Sequence, residues 1–479
     1  MTTPTMNATA LTQAFDTEAR RLMAEHNLPG VSLALLLPGG DHFLNLGVTS
    51  LEDPLPITSQ TLFQIGSTTK TITSLTLSVL SAQGKLGLDD TVRTYLSDFA
   101  LQDEAVAEQL TLRDLLTHQG GFQGDLFEDT GPGDDAIKRV LEHLAKTPQV
   151  VPRRSHWSYN NAGFYVLGRV IEVVTGQTYE AAVTELILKP LGMDHTFFTA
   201  SEVMTHRFAN GHNKIGDQFV VQRPWMMMRS AAPAGSTCCS NSLDMAKYAR
   251  YLMSGSLGAP EPKPSNDAGS GELASSSSAL ATLDRSALWA PVREIGHSLN
   301  GFPGELGMIG QSWFIDQYPE ALIISHGGTT LGHQSEFWVS PDRQVGFMAL
   351  TNASSGHLLN RKLGEWVKRE VLGLNAPSPT AHNVGETDLS ALSGVFLVPG
   401  SPLQITSQVE SGELTLNVPG SEAGEAKAAP LRVIAPDRAL IMSGEMQGFG
   451  VEFLRRENGQ IDFMRFSGRL FPRESQPGA

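Results

Sequence analysis

Ser67 and Lys70 stand three residues apart at the start of a segment with helical periodicity, so their side chains project from the same face. A serine hydroxyl is a poor nucleophile until a neighbouring base takes its proton. A lysine enclosed in a helix can be that base when burial lowers its pKa towards neutrality. N–H groups at a helix start can also stabilise an oxyanion beside the serine. In the structural alternative, Ser67 only caps the helix and Lys70 is a surface charge.

A phenol and an amide lie close together at Tyr159 and Asn161, just ahead of a second apolar helical segment. A loop at a helix start can present both groups to a ligand. Tyr159 would relay a proton there, and Asn161 would hold a substrate amide. In the structural alternative, an asparagine caps the helix while Tyr159 packs beneath it.

Paired glycines follow a histidine at the end of an apolar strand, in the run His326, Gly327, Gly328 and Thr329. Glycines at a strand end let a ligand approach the backbone closely. The N–H group of Thr329 could then donate a hydrogen bond to an oxyanion. An ordinary strand-ending turn explains the same residues equally well.

The order and setting of these motifs resemble the serine β-lactamase and penicillin-binding protein superfamily, in which Ser-x-x-Lys is a signature. The likeness is greatest to the class C β-lactamase branch, which includes D-alanyl-D-alanine carboxypeptidases, carboxylesterases and D-amino-acid peptidases. The resemblance covers residues 10–372. Three further segments have counterparts in that family, namely residues 115–121, 188–193 and 233–236.

The resemblance implies a catalytic role for three side chains. Ser67 would be the acylated nucleophile, Lys70 its proton acceptor, and Tyr159 a partner in general acid–base catalysis. Which of Lys70 and Tyr159 is the principal base stays open. The backbone amides of Ser67 and Thr329 would form the oxyanion hole. The family needs no metal or other cofactor, and the sequence has no clustered His and Cys spacing that would build a metal site.

The resemblance also implies substrate-binding residues. Asn161 would contact the substrate amide, and His326, Gly327 and Gly328 would line the site on the edge strand. Penicillin-binding proteins and most β-lactamases have Lys-Thr-Gly at this place, where the lysine gives a substrate carboxylate a fixed positive charge. A histidine with a pKa of about 6.5 is mostly neutral at pH 7. Because a lost charge-assisted contact costs about 1.5–3 kcal/mol, substrates without that carboxylate are favoured.

The sequence therefore predicts a serine hydrolase that works through an acyl-enzyme on small esters, amides or short peptides, including D-amino-acid peptides. A true β-lactamase or D-alanyl-D-alanine carboxypeptidase that binds penicillin is one alternative. A non-catalytic protein that binds a peptide or a cell-wall fragment in the same pocket is another. The presence of Ser67, Lys70 and Tyr159 argues against the non-catalytic protein, because a degenerate site usually loses at least one such residue.

The elements that must position these residues form a predicted α+β fold. Apolar residues at helical spacing predict four helices, at residues 8–26, 68–83, 161–174 and 358–372. Short apolar runs predict a β-hairpin and an antiparallel meander, at residues 31–48 and 312–352. A sheet that draws strands from both ends of the chain around a helical insertion is an α+β arrangement. The resemblance implies the β-lactamase/transpeptidase-like fold, an antiparallel sheet flanked by helices with a helical subdomain.

Composition divides the chain into a hydrolase domain, residues 1–375, and a small all-β domain, residues 386–479, joined by a polar linker, residues 376–385. Residues 256–282 are rich in Ser, Pro and Gly, which predicts a flexible excursion. About six short strands are expected in the C-terminal domain. It resembles the lipocalin-like β-barrel of some cytoplasmic hydrolases of the superfamily, which can shape the active-site entrance or mediate assembly. A passive stabilising role is the alternative.

The composition limits the partners of the protein. The 479 residues carry 35 Lys and Arg against 50 Asp and Glu, a net charge of −15, which disfavours binding to nucleic acid. The only two cysteines are neighbours, so no structural disulfide is expected. Neither a signal peptide nor a membrane span is visible, which predicts a cytoplasmic protein unless a signal has been removed. The expected partner is a small-molecule or short-peptide substrate, and a homo-oligomer is left open.

Overall fold

The computed structural model describes residues 8–216, 218–257, 277–296, 307–375, 382, 386–398, 404–410, 412–418, 428–444 and 446–474. The centre of the predicted excursion, residues 258–276, and the linker, except residue 382, lie outside the described residues. Within the described part of the chain, no helix is long and apolar enough to cross a membrane.

One antiparallel sheet forms the centre of the hydrolase domain. The N-terminal hairpin pairs with the last strand of the late meander, where Leu33 lies opposite Ala349. This sheet therefore joins both ends of the domain, as the α+β prediction requires. Its nine strands are Gly30–Leu37, Gly40–Gly47, Arg293–Gly296, Gly307–Ile309, Phe314–Gln317, Leu322–Ser325, Gly328–Thr329, Gln334–Ser340 and Val345–Thr351. Two small two-stranded sheets pair Phe63–Gln64 with Cys239–Ser240 and His212–Ile215 with Gln218–Val221.

Helices cover both faces of the central sheet, and the four predicted helices are confirmed within two residues at each end. The α-helices are Ala8–Glu25, Thr69–Ala82, Val92–Tyr95, Glu104–Gln109, Leu112–Leu116, Ala136–Leu144, Ala162–Thr175, Tyr179–Val183, Lys189–Leu191, Ala200–Val203, Ser242–Ser254, His357–Leu372 and Glu386–Leu392. A π-helix spans Thr184–Leu188, and 3-10 turns span Gly66–Thr68, Arg229–Ala234, Arg285–Trp289 and Ser354–Gly356. Residues 277–282 are also helical, and Leu280 packs in the domain core.

Two apolar cores lie on opposite sides of the sheet. The helices Ala8–Glu25 and His357–Leu372 pack on one face, where Phe15, Trp338 and Phe347 are buried. The helices of the middle region pack on the other face. The nucleophile helix Thr69–Ala82 belongs to this second, larger core, so the sheet and the helical insertion enclose it together.

The C-terminal domain is a nearly closed antiparallel barrel with a core of its own. Its strands pair in sequence order, and a bridge between Phe396 and Arg473 connects the first strand to the chain just beyond the last. Eight strands are present rather than about six, because short strands beside Gly394 and Arg469 add to the predicted set. The strands are Gly394–Leu397, Gln404–Glu410, Glu413–Asn417, Ala429–Ala435, Arg438–Ile441, Gly450–Arg455, Ile461–Phe466 and Arg469–Pro472.

Candidate active site

Ser67 lies in the single 3-10 turn Gly66–Thr68, and the helix Thr69–Ala82 begins directly after it. The sequence placed Ser67 in the first turn of the helix itself, so the observed start is slightly later. No side chain caps this helix start, which means that Ser67 is not an N-cap. Its hydroxyl is therefore available to other partners.

The helix that follows Ser67 is buried over nearly its whole length, although it is rich in Ser and Thr. Several of its hydroxyl groups donate hydrogen bonds to the helix backbone. Thr76 Oγ1 donates to the Ile72 carbonyl at 2.9 Å, and Ser78 Oγ donates to the Ser74 carbonyl at 3.0 Å. Such local bonds satisfy polar groups that would be costly to bury alone. A polar sequence can therefore form a fully enclosed helix that holds Ser67 rigidly.

Lys70 is fully buried one helical turn beyond the serine. Its Nζ donates to Ser67 Oγ at 2.9 Å and to the Ala234 carbonyl at 2.7 Å. Burial holds the pKa of Lys70 well below its usual range, and the charge of Arg469 lowers it further, while Asp125 acts in the opposite direction. A neutral amine at this distance can accept the Ser67 proton, so the geometry suits a general base.

Tyr159 lies beside the lysine, with its ring centroid 5.0 Å from Lys70 Nζ. Its ring stacks on His118 at a centroid distance of 4.4 Å. Burial raises the pKa of Tyr159, and a hydrogen bond with Ser67 opposes this shift. The phenol therefore stays protonated at neutral pH. This favours Tyr159 as a proton relay and Lys70 as the group that first accepts the proton.

The loop around Tyr159 is fixed by neighbouring polar contacts. The Asn160 N–H donates to His118 Nδ1 at 3.0 Å, and the Gly163 N–H donates to Asn160 Oδ1 at 2.8 Å. The Asn160 side chain therefore accepts a hydrogen bond from the first turn of the following helix. The Asn161 side chain makes no such capping bond. The Asn161 Nδ2 group donates instead to Asp125 Oδ1 at 2.7 Å.

The predicted oxyanion donors, the amides of Ser67 and Thr329, lie in two backbone segments that contact each other closely. A Cβ added to Gly328 would lie 2.8 Å from the Ser67 nitrogen and 2.0 Å from the Ile65 carbonyl. A Cβ added to Gly66 would lie 2.7 Å from the Thr329 nitrogen. The backbone segments that carry the Ser67 and Thr329 amides are therefore in close contact, as an oxyanion hole formed by both amides requires. Glycine at position 328 makes this approach possible.

His326 lies at the end of the strand Leu322–Ser325 and is buried. Its Nδ1 donates to the Gly327 carbonyl at 2.6 Å, and its Nε2 has no partner among the described residues. Burial lowers the pKa of His326 to about 3, and the charge of Lys70 contributes to the shift. The ring is neutral at physiological pH, so this position supplies no fixed positive charge.

A positive charge reaches the site from the barrel instead, at Arg469. Its Nε donates to Asp125 Oδ2 at 2.9 Å, and its guanidinium carbon lies 4.7 Å from the centroid of the Tyr159 ring. Asp125 therefore links Arg469 to Asn161. Arg469 and Asp125 could not be identified from the sequence, because neither lies in a motif and they are 344 residues apart.

The backbone of the barrel also contacts the loop that carries Tyr159. The Tyr159 N–H donates to the Gly468 carbonyl at 2.8 Å, and the Leu470 N–H donates to Ser158 Oγ at 3.2 Å. These contacts come from the turn between the last two strands. The barrel is thus attached directly to the candidate catalytic loop.

One cavity of about 880 Å³ joins these groups. Seven of the eight predicted site residues line it, and Lys70 is the residue that does not. Arg469 and Ser467 of the barrel line it as well. The seven are Ser67, Tyr159, Asn161, His326, Gly327, Gly328 and Thr329. Within the described residues, no group of three or more His, Cys, Asp or Glu side chains is placed to hold a metal ion.

A nucleophile, an adjacent buried amine and an oxyanion hole point to acyl transfer, and comparison with known proteins agrees. A family profile described as Beta-lactamase matches residues 15–368. The chain belongs to the beta-lactamase family. A relative described as Penicillin-binding protein 4 from Amycolatopsis lactamdurans is 28% identical over 379 residues, which cover 78% of this chain and 94% of the relative.

Solved structures of other proteins share the fold of this beta-lactamase family member. SurE with D-Leu superposes with a TM-score of 0.69 at 20% identity, over 97% of this chain and 100% of SurE. The octameric penicillin-binding protein homologue from Pyrococcus abyssi has a TM-score of 0.63 at 20% identity, with coverages of 97% and 100%. A class C β-lactamase has a TM-score of 0.61 at 20% identity, with coverages of 79% and 100%.

These findings confirm the resemblance inferred from the three motifs and the β-lactamase/transpeptidase-like fold. The protein is a serine hydrolase of the β-lactamase superfamily that acts through an acyl-enzyme.

Proposed function

We propose that Ser67 attacks the carbonyl of a small ester, amide or short peptide and that water then hydrolyses the acyl-enzyme. The 2.9 Å contact between Lys70 Nζ and Ser67 Oγ carries this proposal. Neutral Lys70 takes the hydroxyl proton, Tyr159 gives its proton to the leaving group, and Lys70 then returns the proton to Tyr159, so both groups are neutral in the acyl-enzyme. The amides of Ser67 and Thr329 stabilise the tetrahedral oxyanion. In deacylation, water loses a proton to Lys70 as it attacks the acyl carbonyl, and this proton goes to Ser67 Oγ when the acyl bond breaks.

The electrostatics of the cavity favour substrates that do not need a free cation beside the scissile bond. His326 is neutral, and the charge of Arg469 is already balanced by two hydrogen bonds to Asp125, at 2.9 Å and 3.3 Å. A penicillin carboxylate would have to compete with Asp125 for the guanidinium. The crystal structure of SurE with D-Leu, which shares this fold, supports D-amino-acid compounds as members of the substrate class.

A β-lactamase or D-alanyl-D-alanine carboxypeptidase is the second candidate. The 28% identity to a penicillin-binding protein over most of both chains favours it. This candidate requires that penicillin acylates Ser67 even though His326 replaces the family lysine. The non-catalytic binding protein is disfavoured, because a buried lysine in contact with the serine hydroxyl is costly to keep without a reaction that uses it.

An intact-mass time course with a fluorophosphonate and with benzylpenicillin tests both candidates. The fluorophosphonate should add to the parent, fail to add to Ser67→Ala, and add at least ~100-fold more slowly to Lys70→Met. Ser286→Ala, an exposed serine remote from the cavity, is the matched control and should react like the parent.

Benzylpenicillin separates the substrate classes. We expect no penicillin adduct at early or late times, together with turnover of small esters and D-amino-acid amides. A persistent adduct at Ser67 would instead favour a penicillin-binding carboxypeptidase, and a transient adduct with penicillin turnover would favour a β-lactamase. No adduct from either reagent on folded protein would contradict the acyl-enzyme mechanism.

Assembly into a homo-oligomer is a further part of the proposal. The structural neighbour from Pyrococcus abyssi is described as octameric, and it aligns with 97% of this chain. Light scattering coupled to size-exclusion chromatography gives the mass in solution. A monomer at all protein concentrations would contradict assembly without affecting the chemistry at Ser67.

A further inference from the structure

The cavity beside Ser67 continues between the central sheet, the helix His357–Leu372 and the barrel. We call this part the charged arm, because ionisable side chains from the sheet and the helix line it together with Phe449 of the barrel. The lining side chains that define it are Asp316, Glu336, Arg361, Glu365, Lys368 and Phe449. None of them belongs to a sequence motif or to the acyl-transfer site described above.

Most charged side chains of the arm have no direct partner. The side chains of Asp316, Glu336, Glu365 and Lys368 make no hydrogen bond and no close ion pair within the described ranges, although the three carboxylates raise the pKa of Lys368 from a longer distance. Lys368 Nζ instead lies 5.7 Å from the centroid of the Trp338 ring. An ionised group enclosed by protein without a partner is costly, and such groups concentrate where a protein binds or transforms a ligand.

The balance of charge in the arm is negative. Arg361 Nη2 donates to the Gln447 carbonyl of the barrel at 3.3 Å, but the guanidinium keeps its charge, which acts on Glu336 and Glu365. Arg369, at the edge of the arm, pairs with Glu370 at 2.8 Å. Within the described chain, the two cations Arg361 and Lys368 therefore face the three carboxylates of Asp316, Glu336 and Glu365, which leaves an excess of one formal negative charge.

Burial makes these carboxylates reluctant to ionise. It raises the pKa of Asp316 and of Glu336, and it raises the pKa of Glu365 to about 7. A cation that enters the arm would compensate the negative charge and so be stabilised there. An anion would gain Lys368 but meet three carboxylates.

Glu336 connects the arm to the acyl-transfer site. Its Oε2 lies 3.9 Å from the position that a Cβ on Gly327 would take. The neighbouring Ser335 Oγ donates to the Ile65 carbonyl at 2.8 Å, two residues before the nucleophile. A substrate that lies along the His326–Gly327 edge therefore has one end beside Glu336.

We propose that the charged arm binds a positively charged group of the substrate, an ammonium or guanidinium, and that Glu336 is its principal contact. The substrate would then be a cationic ester, amide or peptide, with its carbonyl at Ser67 and its positive charge in the arm. This proposal rests on the proposed acyl-enzyme function and adds a preference that the function alone does not contain.

Two esters of equal length test the preference. The 4-nitrophenyl ester of 6-aminohexanoate carries an ammonium, and that of heptanoate carries a methyl group in its place. We expect the parent to favour the amino ester by at least ~10-fold in kcat/KM, the value of one charge-assisted contact. Glu336→Gln should remove most of this ratio, because it should raise the KM of the amino ester much more than the KM of the heptanoate ester. Glu320→Gln, an exposed acid of a nearby turn, is the control and should keep the ratio.

Thermal unfolding separates binding from a structural role. If Glu336 serves the ligand, Glu336→Gln removes an unpaired enclosed charge and should leave Tm unchanged or raise it. A clear drop in Tm with an unchanged ester ratio would show a structural role and overturn the proposal. Lys368→Met should increase the preference for the amino ester, because it removes a competing cation.

Three other outcomes would also overturn the proposal. In the first, the ratio of kcat/KM for the amino ester to kcat/KM for the heptanoate ester is the same in the parent, in Glu336→Gln and in the double variant Glu336→Gln/Asp316→Asn, while turnover of the heptanoate ester is normal. The parent could prefer an ester that ends in a carboxylate, with Lys368→Met abolishing that preference. If neither ester nor a fluorophosphonate reacts at Ser67, the acyl-enzyme function itself fails, and the preference that rests on it fails too.

Discussion

Replacing Arg469 with methionine removes a charge that the barrel places beside the candidate base. The guanidinium of Arg469 lowers the pKa of Lys70, while the carboxylate of Asp125 raises it. Arg469→Met therefore leaves Asp125 to act alone, and the pKa of Lys70 should rise. Because Lys70 accepts a proton only when it is neutral, the acid limb of the acylation rate should move to higher pH. Asp125→Asn should move the same limb to lower pH.

The cost to stability follows from the contacts that are lost. Arg469 gives Asp125 two hydrogen bonds, at 2.9 Å and 3.3 Å. The exposed fractions of the two side chains are 28% and 33%, so solvent screens the pair and the lower end of the range applies. We expect Arg469→Met to lower the free energy of unfolding by about 1.5 kcal/mol. The double variant with Asp125→Asn should lose less, because no uncompensated carboxylate remains.

The assay is the second-order rate constant for a fluorophosphonate, measured from pH 5 to 10 for the parent, both single variants and the double variant. Arg473→Met serves as the control, since this arginine contacts the Ser393 carbonyl within the barrel. It should leave the acid limb in place. Identical acid limbs in all variants, or shifts of Arg469→Met and Asp125→Asn in the same direction, would refute the electrostatic coupling to Lys70.

Two further substitutions test the backbone of the site and the loop that supports it. Gly328→Ala would place a Cβ 2.0 Å from the Ile65 carbonyl, so fluorophosphonate labelling should slow by ~100-fold or more. Gly327→Ala, whose Cβ would have its nearest contact at 3.2 Å, should slow labelling less. Equal labelling rates for the two variants would contradict the argument that the backbone at Gly328 is too crowded for a side chain. Asp114→Asn should lower the free energy of unfolding, measured by urea denaturation, by about 3 kcal/mol. The reason is that the Asp114 side chain is 2% exposed and pairs with Arg153 at 2.7 Å. A loss below ~1 kcal/mol would show that the pair contributes little to stability.

The local part of the fold and site follows from sequence patterns. The spacing of Ser67 and Lys70 ahead of an apolar helix is a short-range signal, and hydrophobic periodicity places the helices that hold them. The pairing of the N-terminal hairpin with the late strand Val345–Thr351 could be expected from the family resemblance.

Contacts between distant segments could not be predicted in this way. Arg469 and Asp125 meet only because the barrel docks on the loop of Tyr159, and no periodicity records that docking. Glu336 follows Gln334 and Ser335 on its strand, and nothing in this local pattern marks it as a ligand contact. Its place in a cavity depends on the helix His357–Leu372 and on the barrel, which cover that face of the strand.

The turn at residues 467–470 joins two properties that enzymes often divide between segments. Ser467 and Arg469 line the cavity, so the turn can shape the space that a substrate occupies. Arg469 also lowers the pKa of Lys70, and the Gly468 carbonyl accepts a hydrogen bond from the Tyr159 N–H. Because Gly468 and Leu470 are buried, this connection should tolerate fewer changes than an exposed loop does. Most substitutions in the turn should therefore change selectivity and acylation together, and Ser467 is the position at which selectivity can change with the least effect on proton transfer.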